Sequence, residues 1–221
     1  MVSYLRGVGE AETAIWDFNG TVIDDVELVV RSVNVQLTKR GLPRLTVGRY
    51  RDVFCFPVHD YYRRIGLDPA AEAMADLFAE FHDEYAPGLA ECSLHQGVSE
   101  VLDALADRGI RQFILSAMEE RLLRSAVARL GIEARFDAVY GLAHRQADSK
   151  VERGRELLAD FGIRPETAIL IGDTDHDAEV ADALGVRVVL VGAGHQSAAR
   201  LRATGRPVYA SIARFAAILA R

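Results

Sequence analysis

Five short apolar runs, at residues 13–18, 110–116, 137–142, 167–172 and 186–191, alternate with amphipathic stretches along most of the chain. No other feature narrows the possible folds as much. Apolar runs this short, bounded by turn-forming residues, read as fully buried strands. The stretches between them repeat at helical spacing: Val101, Leu102 and Leu105 in one, Leu122, Leu123, Val127 and Leu130 in the next, Leu157, Leu158 and Phe161 in a third. Gly109, Gly131, Gly162 and Gly185 follow helical segments, where a left-handed closing residue is wanted. Repeated strand–helix units imply an α/β fold, a parallel sheet between two helical layers.

Residues 23–94 break the rhythm. Val26, Val29, Val30, Val33 and Leu37 form an apolar stripe ending at Gly41, and residues 60–65 and 70–85 also read as helices. No convincing strand falls in this stretch. The expected organisation is a core of residues 1–22 and 95–221, with an all-helical cap of residues 23–94 inserted after the first strand. Half of the 221 residues are hydrophobic, enough for a sizeable core. The net charge of -6 argues against a nucleic-acid or anionic-membrane partner, since either needs a basic face. No apolar run is long enough to span a bilayer, and the N-terminus carries no leader-like apolar core. Cys55 and Cys92 lack ligand spacing and read as free thiols. The expectation is a cytoplasmic protein, a monomer or homodimer, whose partner is a small molecule.

The chemistry gathers at strand ends. Ligands in open α/β sheets sit outside the carboxyl ends of the strands. Asp17 closes the first run, and Gly20 and Thr21 follow in a tight turn whose N–H groups are placed to receive an anion. Alone, Asp17 reads as a turn aspartate. The fourth run, however, ends in Gly-Asp-Thr-Asp-His-Asp, supplying Asp173, Asp175 and Asp177. Clustered carboxylates are costly unless neutralised, and a hard divalent cation does this with oxygen ligands. A calcium EF-hand loop is excluded, because its sixth position is Ala178 instead of glycine and its twelfth is Leu184 instead of glutamate. Magnesium shared with Asp17 is the better account. Ser116 ends the second run. With the amides of Ala117 and Met118 opening a helix it suits a phosphate, although Ser116 followed by Glu119 also matches a capping box. Lys150 opens another helix, where a lysine opposes the dipole.

These four elements, in this order, resemble the haloacid dehalogenase (HAD) superfamily over the whole chain. Motif one is residues 17–21, motif two Ser116, motif three Lys150 and motif four residues 172–177. The helical insert is similar to the family's C1 cap, and the connection between Ser116 and Lys150 is too short for the larger C2 cap. The branch most resembled is the phosphoglycolate-phosphatase-like one. The resemblance implies a Rossmann-like three-layer core. It also implies a magnesium-dependent phosphatase acting on a small phosphorylated metabolite through an aspartyl-phosphate on Asp17. Magnesium would be held by Asp17, the Asn19 backbone carbonyl and Asp173, with Asp177 in support. Ser116 and Lys150 would bind the phosphoryl group.

Asn19 departs from the family pattern. Phosphatases of the family carry aspartate there, which protonates the leaving oxygen and then activates water. An amide donates hydrogen bonds but shuttles no proton. Asp24 and Asp25 are nearby acids that otherwise read as helix capping. His59, His144 and His176 read first as surface histidines, and Arg49, Arg51 and Arg145 are candidates to meet a second anionic group. Asn19 keeps two further functions open: a phosphotransferase or mutase exploiting a longer-lived aspartyl-phosphate, and an attenuated domain with a binding or regulatory role. Dehalogenation is disfavoured, since Asp173 and Asp177 would have no purpose in it.

Overall fold

The computed structural model describes residues 11–68, 72–142 and 149–219. Among these residues the strands are β1 (Thr13–Trp16), β2 (Arg111–Glu119), β3 (Ala138–Leu142), β4 (Ala168–Gly172), β5 (Arg187–Val191) and β6 (Val208–Tyr209). They form one parallel sheet in the order β3-β2-β1-β4-β5-β6. Side chains alternate across it. Ala14 and Trp16 of β1, with Ile114, Ile169 and Ile171, bury against one helical layer. Ile15, with Phe113, Leu115 and Leu170, buries against the other. All four residues of β1 are buried, as a central strand covered on both faces requires.

The first layer contains α5 (Val98–Ala106), α6 (Glu120–Arg129) and α10 (Ile212–Leu219). The second contains α7 (Lys150–Asp160), α8 (Asp175–Leu184) and α9 (Ala198–Ala203). The expected three-layer α/β core is present. The sequence pattern did not anticipate β6, α9 or α10. β6 is only two residues long, too short to leave a periodic signature.

The described part of the insert contains the helices α1 (Val26–Lys39), α2 (Val47–Val53), α3 (Val58–Arg64) and α4 (Met74–Gly88) and no strand beyond a single bridge between Ile23 and Leu94 at its two ends. The valine stripe of α1 packs with Tyr50, Tyr61, Tyr62 and Leu77 into a separate apolar cluster. α2 was not anticipated, and α4 begins later than residue 70. The chain leaves the core and returns to it side by side. Asp24 N donates to Ser93 O at 2.9 Å, and His95 N donates to Val22 O at 3.0 Å. Cys55 and Cys92 are free. Among the described residues no helix is long and apolar enough to cross a membrane.

Candidate active site

The strand order fixes where a ligand belongs. From β1 the chain moves outward to β2 and β3, then returns to build β4 on the opposite side of β1. Connections diverge at this switch point and leave a crevice at the carboxyl ends of β1 and β4. Asp17 directly follows β1, and Asp173 directly follows β4. Asp177 lies in the first turn of α8, where its Oδ2 accepts from the Thr174 N–H (3.0 Å), the Thr174 hydroxyl (2.8 Å) and Asp173 N (3.1 Å). Asp17, Asp173 and Asp177 are buried and each offers an oxygen, all within 4.8 Å of one another. Lys150, first residue of α7, reaches into the cluster. Its ammonium donates to Asp17 Oδ1 at 2.5 Å and to Asp177 Oδ1 at 2.6 Å.

A second network borders the first. Asp25 stands at the N-cap of α1, but its carboxylate does not cap that helix. It accepts instead from Asn19 Nδ2 (2.8 Å), Gly20 N (2.9 Å) and the Tyr85 hydroxyl (2.6 Å). Asn19 Nδ2 also donates to the Tyr85 oxygen at 2.7 Å. His195, in the loop after β5, places Nε2 3.2 Å from Asp25 Oδ1 and Nδ1 2.8 Å from the Tyr50 hydroxyl, while its backbone N donates to Asp173 Oδ2. The capping expectation for Asp25 is therefore corrected. The fit is close enough to exclude a side chain at Gly20, whose φ is +71° and whose Cβ would lie 2.5 Å from both Asp173 Oδ2 and the His195 ring.

The electrostatics follow from burial. Burial lifts Asp17 to about 6 despite the Lys150 charge. It lifts Asp173 to about 8, helped by Asp17 and Asp177 and opposed by His195. Asp177 is equally buried, yet Lys150 and Thr174 hold it below the ordinary carboxylate range. Burial alone would lower His195, but Asp25 outweighs it and brings the imidazole to about 9. Four buried carboxylates, of Asp17, Asp25, Asp173 and Asp177, thus face two buried cations, Lys150 and His195. Burial drives two of these acids, Asp17 and Asp173, above their usual range even though Lys150 and His195 oppose it. The donor set is hard oxygen, so the site fits a magnesium-like divalent cation.

The other sequence expectations divide. Ser116 and Ala117 line the same cavity as Asp17 and Lys150. The helix does not open beside them, which corrects that reading. β2 continues to Glu119 with a register shift after Leu115, and α6 starts at Glu120. Glu119 caps it through Arg121 N and Leu122 N, while the Ser116 hydroxyl accepts from Met118 N at 3.1 Å, so no capping box forms there. Gly20 and Thr21 do not act as an open anion receiver. Gly20 N is spent on Asp25 and Ile23, and the Thr21 hydroxyl donates to Asp173 Oδ1 at 3.0 Å. Asp175 lies outside the cluster, paired with Arg200 and Gln196. Asp24 is half exposed, and His59 pairs with Asp60. His176 is no mere surface residue: it lines the cavity and stacks on Phe56 at 4.5 Å. Arg51 is committed to the carbonyls of Ala193 and Gly194, and Arg49 does not line the cavity. His144 and Arg145 lie outside the described residues.

Sequence reasoning missed His195, Tyr50 and Tyr85. One signal for His195 was available, since Gly192–Ala193–Gly194 follow a strand's carboxyl end on the same edge as Asp17 and Asp173. The tyrosines sit on α2 and α4, and nothing in local periodicity marks a residue that crosses from the insert to the core.

Comparison with known proteins agrees with this geometry. The model of the haloacid dehalogenase-like hydrolase family matches residues 14–191. The tyrosine-protein kinase PtkA of Mycobacterium tuberculosis is 29% identical over 185 residues, 83% of this chain and 63% of that protein. The chain thus spans less than two thirds of that relative's length. The solved PtkA structure superposes with a TM-score of 0.79 at 26% identity, covering 96% of this chain and 99% of that one. A phosphoglycolate phosphatase of Synechococcus elongatus is 26% identical over 184 residues, 81% of this chain and 83% of that protein. A haloacid dehalogenase-like hydrolase from Streptococcus pneumoniae shares the fold, with a TM-score of 0.80 at 19% identity over 95% of this chain and 98% of that one. The strand order, the acidic cluster and the family match over residues 14–191 converge, and the chain belongs to the haloacid dehalogenase-like hydrolase family.

Proposed function

We propose that the chain is a magnesium-dependent phosphatase for a small phosphorylated metabolite, acting through an aspartyl-phosphate on Asp17. The observation that carries this reading is the buried cluster of Asp17, Asp173 and Asp177 bridged by the Lys150 ammonium. Residues 23–94 form the cap that closes over it, and residues 1–22 and 95–221 form the core. An Asp17 carboxylate oxygen attacks phosphorus, a P–O bond forms, and the bond to the leaving oxygen breaks. Water then attacks the same phosphorus and releases phosphate and free Asp17. Lys150 has three ammonium protons; two are spent on Asp17 and Asp177, and the third is available to a phosphoryl oxygen. Ser116 and the Ala117 amide hold the opposite side of the phosphoryl group. Magnesium would be held by Asp17, the Asn19 carbonyl and Asp173 with Asp177 in support, and would neutralise charge on the transferring group.

A second reading has its own support. Asn19 directs its amide at Asp25 and Tyr85, so no carboxyl stands where the family's phosphatases carry one. An aspartyl-phosphate here is hydrolysed without that base and is open to transfer to another acceptor. The relatives' names do not choose, since they include a kinase and phosphatases. One experiment addresses both. Asp17→Asn is expected to abolish phosphate release, and beryllofluoride is expected to bind the native protein against Asp17 in a crystal. Release at the native rate by Asp17→Asn overturns the covalent route. Added glycerol that diverts phosphate into glycerol phosphate selects transfer over hydrolysis.

A further inference from the structure

Above the acidic cluster the cavity changes character. It encloses about 220 Å³, with Asp17, Ser116 and Lys150 at one end and the insert at the other. The insert's wall is apolar and largely aromatic, including Val33, Phe54, Phe56, Tyr62, Phe78 and Phe81. Phe78 is the one large hydrophobic residue left exposed among the described residues, and it belongs to this wall. Among the described residues the basic groups that line the cavity are Lys150, engaged with Asp17 and Asp177, His195, engaged with Asp25, His176, engaged with Glu179 and stacked on Phe56, and His82, whose ring lies edge-on to Phe81 and Tyr85. No arginine lines it among the described residues.

We propose, resting on the phosphatase reading above, that this site selects phosphomonoesters whose leaving group is a single uncharged aromatic ring. A substrate with a second anion, such as a carboxylate, would set that charge against a wall that is mostly aromatic carbon and holds no arginine among the described residues, at a desolvation cost. An apolar cavity of about 150 Å³ takes up benzene. The volume here holds one ring together with a phosphoryl group, and it falls below the ~300–1,000 Å³ typical of sites for larger ligands. Rings pack edge-on and face-on against such walls with a gain beyond simple burial. This selectivity is independent of leaving-group acidity, because it is read by the wall and not by the cluster.

The test separates ring recognition from catalysis. Acetyl phosphate carries no ring and its leaving group, acetate, departs without protonation, so its hydrolysis by the magnesium-loaded protein reports the phosphatase reading alone. Benzylphosphonate, ethylphosphonate and phosphonoacetate, none of them hydrolysable, are then compared as inhibitors. Benzylphosphonate is expected to inhibit at tenfold or lower concentration than the other two. Phe56→Ala and Phe78→Ala, both only partly buried and outside the catalytic cluster, are expected to erase that advantage and leave acetyl phosphate turnover unchanged. Equal inhibition by all three, or tighter binding of phosphonoacetate, overturns the proposal. So does a preference for phosphocholine over benzyl phosphate in a direct assay, which would show that the aromatic wall reads a cation. If acetyl phosphate is not hydrolysed, the phosphatase reading fails by itself, and calorimetry of the three phosphonates on the magnesium-loaded protein still decides the question of the ring.

Discussion

Asn19→Asp restores the carboxyl common to the family's phosphatases, and the structure says what that carboxyl would meet. Asn19 Nδ2 donates to Asp25 Oδ2 at 2.8 Å and to the Tyr85 oxygen at 2.7 Å. The substitution removes this donor and sets a second carboxyl against Asp25. Two charged oxygens at 2.8 Å repel by about 6 kcal/mol at an effective dielectric of about 20. That is roughly 4 pKa units, before any relief from side-chain rotation. Asp25 keeps its charge, because His195 and Tyr85 outweigh the burial that would raise it. The new carboxyl therefore takes the proton. Half the shift would move it from about 4 to about 6, the range of a general acid. Turnover of alkyl phosphates is expected to rise by up to ~10²–10⁴-fold, with a smaller gain on aryl and acyl phosphates, whose leaving groups need little protonation. Stability is expected to fall by about 1–3 kcal/mol, since one of two partly buried hydrogen bonds is lost. Pairing the change with Asp25→Asn keeps one donor and one acceptor in contact and is expected to recover most of that loss. The assay is steady-state kcat and KM with glycerol 3-phosphate, 4-nitrophenyl phosphate and acetyl phosphate, together with thermal melts. Unchanged alkyl turnover over an already ordinary native rate refutes the reasoning, and points to a proton donor other than position 19.

Magnesium at about 100 times its Kd is expected to stabilise the protein by about 2.7 kcal/mol, roughly 5–10 °C in Tm; exhaustive chelation that leaves both Tm and activity unaltered rules out the metal. Asp173→Asn is expected to remove most of this magnesium-induced shift while the metal-free protein stays folded, because the change discharges a carboxyl that burial already holds at about 8; an undiminished shift shows that Asp173 is no ligand. The metal-free protein is expected to lose stability as pH rises from about 6 to 9. His195, at about 9 folded against 6.5 unfolded, contributes stability that is complete below about 6.5 and gone once the pH passes 9. Asp173, raised from 3.8 to about 8, adds a loss of stability that accrues as pH rises from about 4 to 8 and is constant above that. Melts from pH 5 to 9 with chelator and with magnesium check this, and parallel curves would refute it.

The sheet was legible because its physics is local. A strand covered on both faces must be apolar throughout, and a helix covered on one face repeats every three to four residues. Asp17 and Asp173 were legible for a related reason: carboxylates at strand ends are conspicuous and the rule for strand ends is general. What escaped depends on contacts between distant segments. Asp25 looks like a cap because it precedes a helix, yet Tyr85, sixty residues later, takes part of its carboxylate. Ser116 looks like a helix start because a glutamate follows at the right spacing, but β2 runs on to Glu119 and uses that glutamate as the cap instead. Arg51 looks like an anion receptor until two carbonyls of the β5 loop occupy it.

Asn19 fits its surroundings better than an isolated loss would. Its amide, the Tyr85 hydroxyl, the Asp25 carboxylate and the His195 imidazole form a closed sequence of donors and acceptors. An aspartate at position 19 would break that sequence unless it carried a proton. The members come from both parts of the chain: Asn19 and His195 from the core, Asp25 and Tyr85 from the insert. Tyr50 extends the network to a second insert helix. The same two parts are joined again nearby, where Ser197 N donates to Arg51 O and Gln196 Nε2 donates to Phe54 O. Arg51 meanwhile holds the loop at Ala193, a non-glycine residue at φ 80° that is costly to maintain without such support. A donor at position 19 therefore ties the insert to the core at the edge of the acidic cluster. Where the family resemblance implies an acid–base carboxyl, this chain carries an amide committed to Asp25 and Tyr85.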